Sequence, residues 1–133
     1  MLADTNLIIY SARPEYAFIR EWFEAEEPVA SAISYVEALG YWNHKPGEKI
    51  SLTKFFENTK LLPIDQAVLR QAVKLRQTKS MGLGDSLVAA TALAHGLTLA
   101  THNTADFAWI SDLSVIDPFD QKPKSQSNEG ASL

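Results

Sequence analysis

The chain has 133 residues, 46% of them apolar and none of them cysteine. That length suits one compact domain and not two, the apolar share supplies a core and argues against wholesale disorder, and the missing cysteine removes disulfides, thiol catalysis and cysteine-ligated zinc. Sixteen acidic against twelve basic side chains give a formal charge of −4, so a polyanionic ligand would have to be drawn in by a bound cation or a local basic stripe rather than by the overall field.

Residues 1–3 are the first strand candidate, ending at Asp4. No basic segment precedes it and Asp4 interrupts the apolar run, which argues against a signal peptide and for a soluble, cytoplasmic protein. Phe18, Ile19, Trp22 and Phe23 then fall at the spacing of one helix face. Residues 28–31 read as a second strand, 48–60 as a helix carrying Leu52, Phe55 and Phe56, and 61–64 as a third strand. In 65–78 the apolar positions Val68, Leu69, Ala72 and Leu75 again mark a helix. Arg70, Lys74, Arg76 and Lys79 form a basic stripe there, which a solvated helix face explains equally. Residues 87–94 are apolar on almost every side, the signature of a buried helix, and fall far short of the roughly 18 residues that span a membrane. Residues 97–100 and 114–116 complete the strands, and a shift to Gln, Lys, Ser and Asn predicts a disordered tail over 120–133. Strands alternating with helices predict an α/β domain, a central parallel sheet with helices on both faces.

Four acids stand at element boundaries. Asp4 ends the first strand, where chemistry collects in an open parallel sheet; taken alone, it also reads as the N-cap of a helix beginning near Thr5. Ser34-Tyr35-Val36-Glu37 matches a capping box, and Glu37 would otherwise point into the same crevice. Asp85 opens the apolar helix, a position the macrodipole favours. Because that helix carries no charged residue, its start is expected inside the domain, where an unpaired carboxylate is costly. Asp106 follows the fourth strand and could equally cap a short helix. Carboxylates gathered in one crevice repel one another and raise their pKa values, and hard cations such as magnesium or manganese, which prefer oxygen ligands, would relieve that repulsion.

These residues carry a family likeness. Met1-Leu2-Ala3-Asp4-Thr5-Asn6 resembles the opening strand and D-T-N of PIN-domain proteins, and Ser34-x-x-Glu37-Ala38-Leu39 resembles their second motif. Leu83-Gly84-Asp85-Ser86-Leu87-Val88-Ala89-Ala90-Thr91-Ala92 is similar to the third, Thr101-His102-Asn103-x-x-Asp106-Phe107 to the fourth, and Val115-Ile116-Asp117-Pro118-Phe119 to the closing strand of VapC-type toxins. The likeness covers residues 1–119. It implies a three-layer α/β/α PIN-like domain and a Mg2+- or Mn2+-dependent endoribonuclease, commonly the toxin of a toxin–antitoxin pair. It further implies a homodimer and an antitoxin whose basic tail blocks the acidic cleft. Asp4, Glu37, Asp85 and Asp106 map to the catalytic acids, with Asp4, Asp85 and Asp106 as metal ligands and Thr5, Asn6, Ser34, Thr101 and Asn103 in support. Two departures stand out: His102 where the family often has Arg, and Asn103 where some members have an acid.

Competing chemistries lack their signatures. His44, His95 and His102 have no metal-site spacing, and there is no G-x-S-x-G elbow or phosphate loop. A non-catalytic binding module on the same fold, a phosphatase or phosphoacceptor, and an RNA-processing nuclease without an antitoxin are the rival readings; the phosphoacceptor needs a second acid beside Asp4, which is missing. Trp22, Phe23, Tyr35, Tyr41, Trp42 and Trp109 are assigned to the core by default, with Phe18, Trp22 and Phe23 the candidate partner surface.

Overall fold

Leu2 and Ala3 alternate across a sheet plane, as successive strand residues must. They form β1 (Leu2–Ala3) of the computed structural model, which describes residues 1–121. All five strand candidates are present: β2 (Val29–Ser31), β3 (Leu61–Leu62), β4 (Leu99–Ala100) and β5 (Val115–Ile116) follow. Each is shorter than its candidate; Pro28 and Pro63, which have no N–H to give a ladder, stand outside β2 and β3. The strands pair in parallel in the order β3-β2-β1-β4-β5.

The helices are α1 (Thr5–Ser11), α2 (Ala17–Glu26), α3 (Ala32–Leu39), α4 (Glu48–Glu57), α5 (Gln66–Thr78) and α6 (Leu83–His95). Leu2 and Leu99 face one apolar cluster, built with Val68, Ala72 and Leu75 of α5, the buried run of α6, and Phe107. Ala3, Ala30 and Ala100 face the other, built with Leu7, Ile8, Ile19, Phe23, Leu52 and Phe56 of α1, α2 and α4. Two clusters on opposite faces of one sheet make the three-layer α/β/α arrangement. Residues Ser86 to Ala92 of α6 are all buried, because this helix is covered by the sheet on one side and by α5 on the other; its all-round apolar sequence is explained by that double covering. Among the described residues no helix is long and apolar enough to cross a membrane.

Phe18, Trp22 and Phe23 pack onto the second cluster, Phe23 within it and the other two against it. The large aromatics exposed to solvent are Tyr35, Tyr41 and Trp42, in and after α3. Arg70, Lys74, Arg76 and Lys79 lie on the solvated face of α5 and just beyond it, where Lys79 sits over the Trp109 ring at 5.7 Å. Of the predicted tail, residues 120 and 121 complete a short 3-10 turn, Pro118–Gln121, and the remainder lies outside the described residues.

Candidate active site

From β1 the sheet extends one way through β2 and β3 and the other way through β4 and β5, so the carboxyl ends of β1 and β4 flank the switch point at which open parallel sheets form a crevice. Asp4 follows β1 and Thr101 follows β4, and they are tied together. Asp4 N donates to Ala100 O at 2.9 Å, and Thr101 Oγ1 donates to Asp4 Oδ2 at 2.8 Å. The other carboxylate oxygen, Oδ1, accepts from Thr5 N at 2.8 Å and caps α1. Asp4 therefore caps α1, one of the two roles the sequence suggested, and lies beneath the crevice at the end of β1. It is only 4% exposed. Burial pushes its carboxyl up to about 6; the Thr101 hydrogen bond opposes the rise, the Asp85 charge adds to it, the Thr5 N–H opposes it and Glu37 adds the rest.

Glu37 arrives from α3. The helix is capped not by Ser34 but by Ser31, whose Oγ accepts from Ile33 N at 3.2 Å. The capping-box reading of Ser34 and Glu37 fails, because both lie inside the helix and face the site. Thr5 Oγ1 donates to Glu37 Oε1 at 2.6 Å. With its single hydrogen so used, Thr5 accepts from Ser34 Oγ, 2.7 Å away and buried. The other Glu37 oxygen rests against Gly84 in the first turn of α6: a Cβ on that glycine would overlap Oε2 and stand 3.0 Å from Cδ. The Glu37 carboxylate thus occupies the space that a side chain would take at the residue immediately before Asp85.

Asp85 stands in the first turn of α6, which begins at Leu83 with Gly82 as cap, earlier than the apolar run alone suggested. Burial raises its pKa, and the charges of Asp106 and Glu37 raise it further. Asp106 is exposed in the 3-10 turn Thr104–Asp106. Asn103 Nδ2 donates to Asp106 Oδ2, while Asn103 N donates to Thr101 Oγ1 at 3.0 Å. One continuous hydrogen-bonded chain thus runs from Asp106 through Asn103, Thr101, Asp4 and Thr5 to Glu37 and Ser34.

The cleft above this chain has a volume of about 340 Å3. Thr5, Asn6, Glu37 and Asp85 make one part of its wall, and Ile9, Tyr10, Arg13 and Tyr41 the rest. Asp4 and Asp106 contribute no wall and act on it through Asp85 and through hydrogen bonds. A larger hollow, about 840 Å3, lies at the amino ends of β2 and β3 among Arg20, Phe23, Lys54 and Lys60, away from the acids.

Among the described residues no three Asp, Glu or His side chains are already arranged to hold a metal ion between them. The four acids are therefore not a closed cage. Their oxygens still suit a hard cation of the magnesium kind, which keeps several waters and takes only one or two protein carboxylates directly. The upward shifts at Asp4 and Asp85 are those of carboxylates short of positive charge. The donor set fits such an ion.

Sequence reasoning missed the cleft's cationic wall. Arg13 Nε donates to Glu48 Oε1 at 3.0 Å, and His44 Nδ1 lies 2.9 Å from Glu48 Oε2. Glu48 is 2% exposed. Burial alone would raise its pKa, but the hydrogen bonds from His44 and Arg13 hold it below the usual carboxylate range. His102, by contrast, does not line this cleft: its Nδ1 is 3.0 Å from Asp117 Oδ2, and its ring stacks on Phe119 with centroids 3.8 Å apart.

A PIN-domain family model matches residues 1–112. The chain belongs to the PIN-domain family. Among solved structures, this PIN domain is similar to a chain of a toxin–antitoxin complex from Klebsiella pneumoniae, at 30% identity and a TM-score of 0.70, covering 88% of this chain and 96% of that one. It is also similar to a chain of FitAcB from Neisseria gonorrhoeae, at 27% identity and a TM-score of 0.70, over 89% of this chain and 97% of that one. A chain of VapBC-1 from nontypeable Haemophilus influenzae aligns at 25% identity with a TM-score of 0.71, over 89% and 97% respectively. Comparison with curated protein sequences gives no significant match.

Proposed function

We propose that this PIN domain is a divalent-metal-dependent endoribonuclease, the toxin of a toxin–antitoxin pair. The observation that carries the reading is the crevice at the β1–β4 switch point, where burial and the neighbouring charges of Asp85 and Glu37 raise the carboxyl of Asp4, and burial with the charges of Asp106 and Glu37 raises that of Asp85. Asp4, Asp85 and Asp106 would hold the ion, magnesium or manganese, one or two of them directly and the rest through its waters. When bound, such a cation acidifies a water molecule and offsets charge developing on phosphoryl oxygens.

The protein's own groups do the remaining work. Thr101 and the Thr5 N–H fix the Asp4 carboxylate so that it cannot rotate away. Thr5, itself held by Ser34, orients Glu37. Glu37 is exposed on the cleft wall and takes the proton of the attacking water as general base. Asn103 restrains Asp106, and Asn6 lines the entrance for the RNA chain.

The similar toxin–antitoxin complex supports a toxin role and a partner antitoxin; a basic tail of that partner would enter the same acidic cleft. A homodimer acting in the cytoplasm completes the reading. RNA cleavage by purified protein with and without MgCl2 tests it. Because residues that merely orient metal ligands cost roughly 10–100-fold when changed, Asp85→Asn is expected to lose more than about 100-fold of the rate while its circular dichroism stays that of wild type. A folded wild-type protein that leaves RNA intact in Mg2+ and Mn2+ would leave the binding-only reading standing instead.

A further inference from the structure

The cleft is walled by carboxylates, yet the ligand it is proposed to take is a polyanion. Among its lining residues Arg13 alone is cationic. Arg13 follows α1, and its side chain is 19% exposed. One donor, Nε, is committed to Glu48 Oε1, which restrains the guanidinium of this cleft-lining residue and leaves its Nη hydrogens as donors. Glu48 can restrain it because it is itself held: it is buried, and it accepts a second hydrogen bond from His44. An ionised carboxylate only accepts, so His44 Nδ1 carries the proton in this pair. Tyr10 and Tyr41 line the cleft with Arg13.

The buried Glu48 is what distinguishes this arginine from an ordinary surface cation. A free arginine loses rotamer entropy when it grips an anion, whereas one already locked by a buried carboxylate has lost it on folding. The choice of partner matters as well. Arg13 is ion-paired with Glu48 and not with Glu37 or Asp85, the acids of the same cleft, so its charge is not spent on them. We propose that Arg13 binds a backbone phosphate of the RNA substrate beside the scissile one, with Glu48 and His44 as the positioning residues that aim it. The inference rests on the ribonuclease reading above, and its test separates the two.

The experiment compares wild type, Glu48→Gln, and the double variant Glu48→Gln with Arg13→Met, which removes both charges and leaves no carboxylate buried alone. Two readouts are taken: steady-state cleavage of a labelled single-stranded RNA in Mg2+, and anisotropy titration of the same RNA in Ca2+ over a series of salt concentrations. Relative to Glu48→Gln, the double variant is expected to raise KM and the dissociation constant about tenfold or more, as loss of a hydrogen bond to a charged group does, with kcat little changed. The slope of log affinity against log salt should fall by about 0.7 for one lost phosphate contact on a single strand. If the double variant matches Glu48→Gln in KM, affinity and salt slope, Arg13 is only the counter-ion of Glu48 and the inference is overturned; failure of the wild type to bind RNA at all overturns it too. RNA binding that depends on Arg13, in a protein that does not cut, upholds the phosphate contact and sinks the nuclease reading.

Discussion

Asp4 and Glu48 are both buried carboxylates, 4% and 2% exposed, and their titration is shifted in opposite directions. Asp4 is pushed up to about 6 by burial and by the neighbouring acids, against the pull of two hydrogen bonds. Glu48 is as little exposed, and burial pushes it up too, but the hydrogen bonds of His44 and Arg13 hold it down. Much of the difference lies in the partners. Glu48 has a cation on one oxygen and an imidazole N–H on the other. Asp4 has a hydroxyl and a backbone amide, neither of which cancels its charge. One buried acid is complete within the chain; the other is left with a charge deficit beneath a cleft. A self-satisfied buried pair contributes to structure, and an unsatisfied buried acid is the mark of a site.

Removing one member of each set should therefore move stability in opposite directions. Glu48→Ala strips the partner from Arg13 and His44 in a poorly solvated place, and a loss of about 3 kcal/mol is expected, read as a lower midpoint in urea. For Asp4 the sign runs the other way. Its folded pKa lies above the ordinary 3.8, so the folded state holds a proton that the unfolded state has released. Metal-free wild type then loses stability as pH rises from about 4 to about 6, and carries the full penalty above that. A rise of about two pH units corresponds to about 3 kcal/mol. Asp4→Asn is expected to gain about 1–3 kcal/mol at pH 8 without metal and nothing at pH 3.5. Asp4→Asn less stable than wild type at pH 8 would show that the Thr101 and Thr5 hydrogen bonds outweigh the buried charge, and the contrast with Glu48 would collapse.

The contrast was half visible in the sequence. Five strands and the apolar α6 follow from period and composition, and Asp4, Asp85 and Asp106 stand where turn chemistry already marks a boundary. The start of α3 misled because Ser31 and Ser34 are the same residue type one turn apart, and only the fold decides which of them caps. Glu48, Arg13 and His44 carried no signal: Arg13 and Glu48 are 35 positions apart, and nothing local to either announces the pairing. Thr101 is similar. Only the resemblance gave it a supporting role, and its hydroxyl matters because β1 and β4 are neighbours in the sheet. Short-range patterns reveal elements, whereas counter-charges depend on which elements the sheet order brings together.

Adding the missing cation should erase the deficit at Asp4. In a thermal melt at pH 7.5, Mg2+ at ten times its dissociation constant is expected to stabilise wild type by about 1.4 kcal/mol and to leave Asp85→Asn unmoved. Because a proton on Asp4 competes with the metal, the gain should fade as pH drops through about 6. An equal Mg2+ gain in Asp85→Asn would place the ion elsewhere and remove the reason offered for the raised pKa values.

The smallest stability change, and the sharpest test of geometry, lies at Gly84. This glycine sits inside the first turn of α6, where alanine is favoured by about 1 kcal/mol on helix propensity. The added Cβ would overlap Glu37 Oε2, but the obstacle is the end of a flexible, exposed side chain that can swing aside. The gain in helix propensity and the cost of moving Glu37 should nearly cancel, so Gly84→Ala is expected within about 1 kcal/mol of wild type. Function has no such compensation. Glu37 swinging away gives up the Thr5 hydroxyl, and displacement of a reacting group by about 1 Å can cost on the order of 100-fold in rate. A Gly84→Ala protein as stable as wild type but deeply impaired in RNA cleavage would assign Glu37 to the chemistry. One that cuts RNA at the wild-type rate would show that the seat of Glu37 is immaterial, and the general base would have to be sought in another residue.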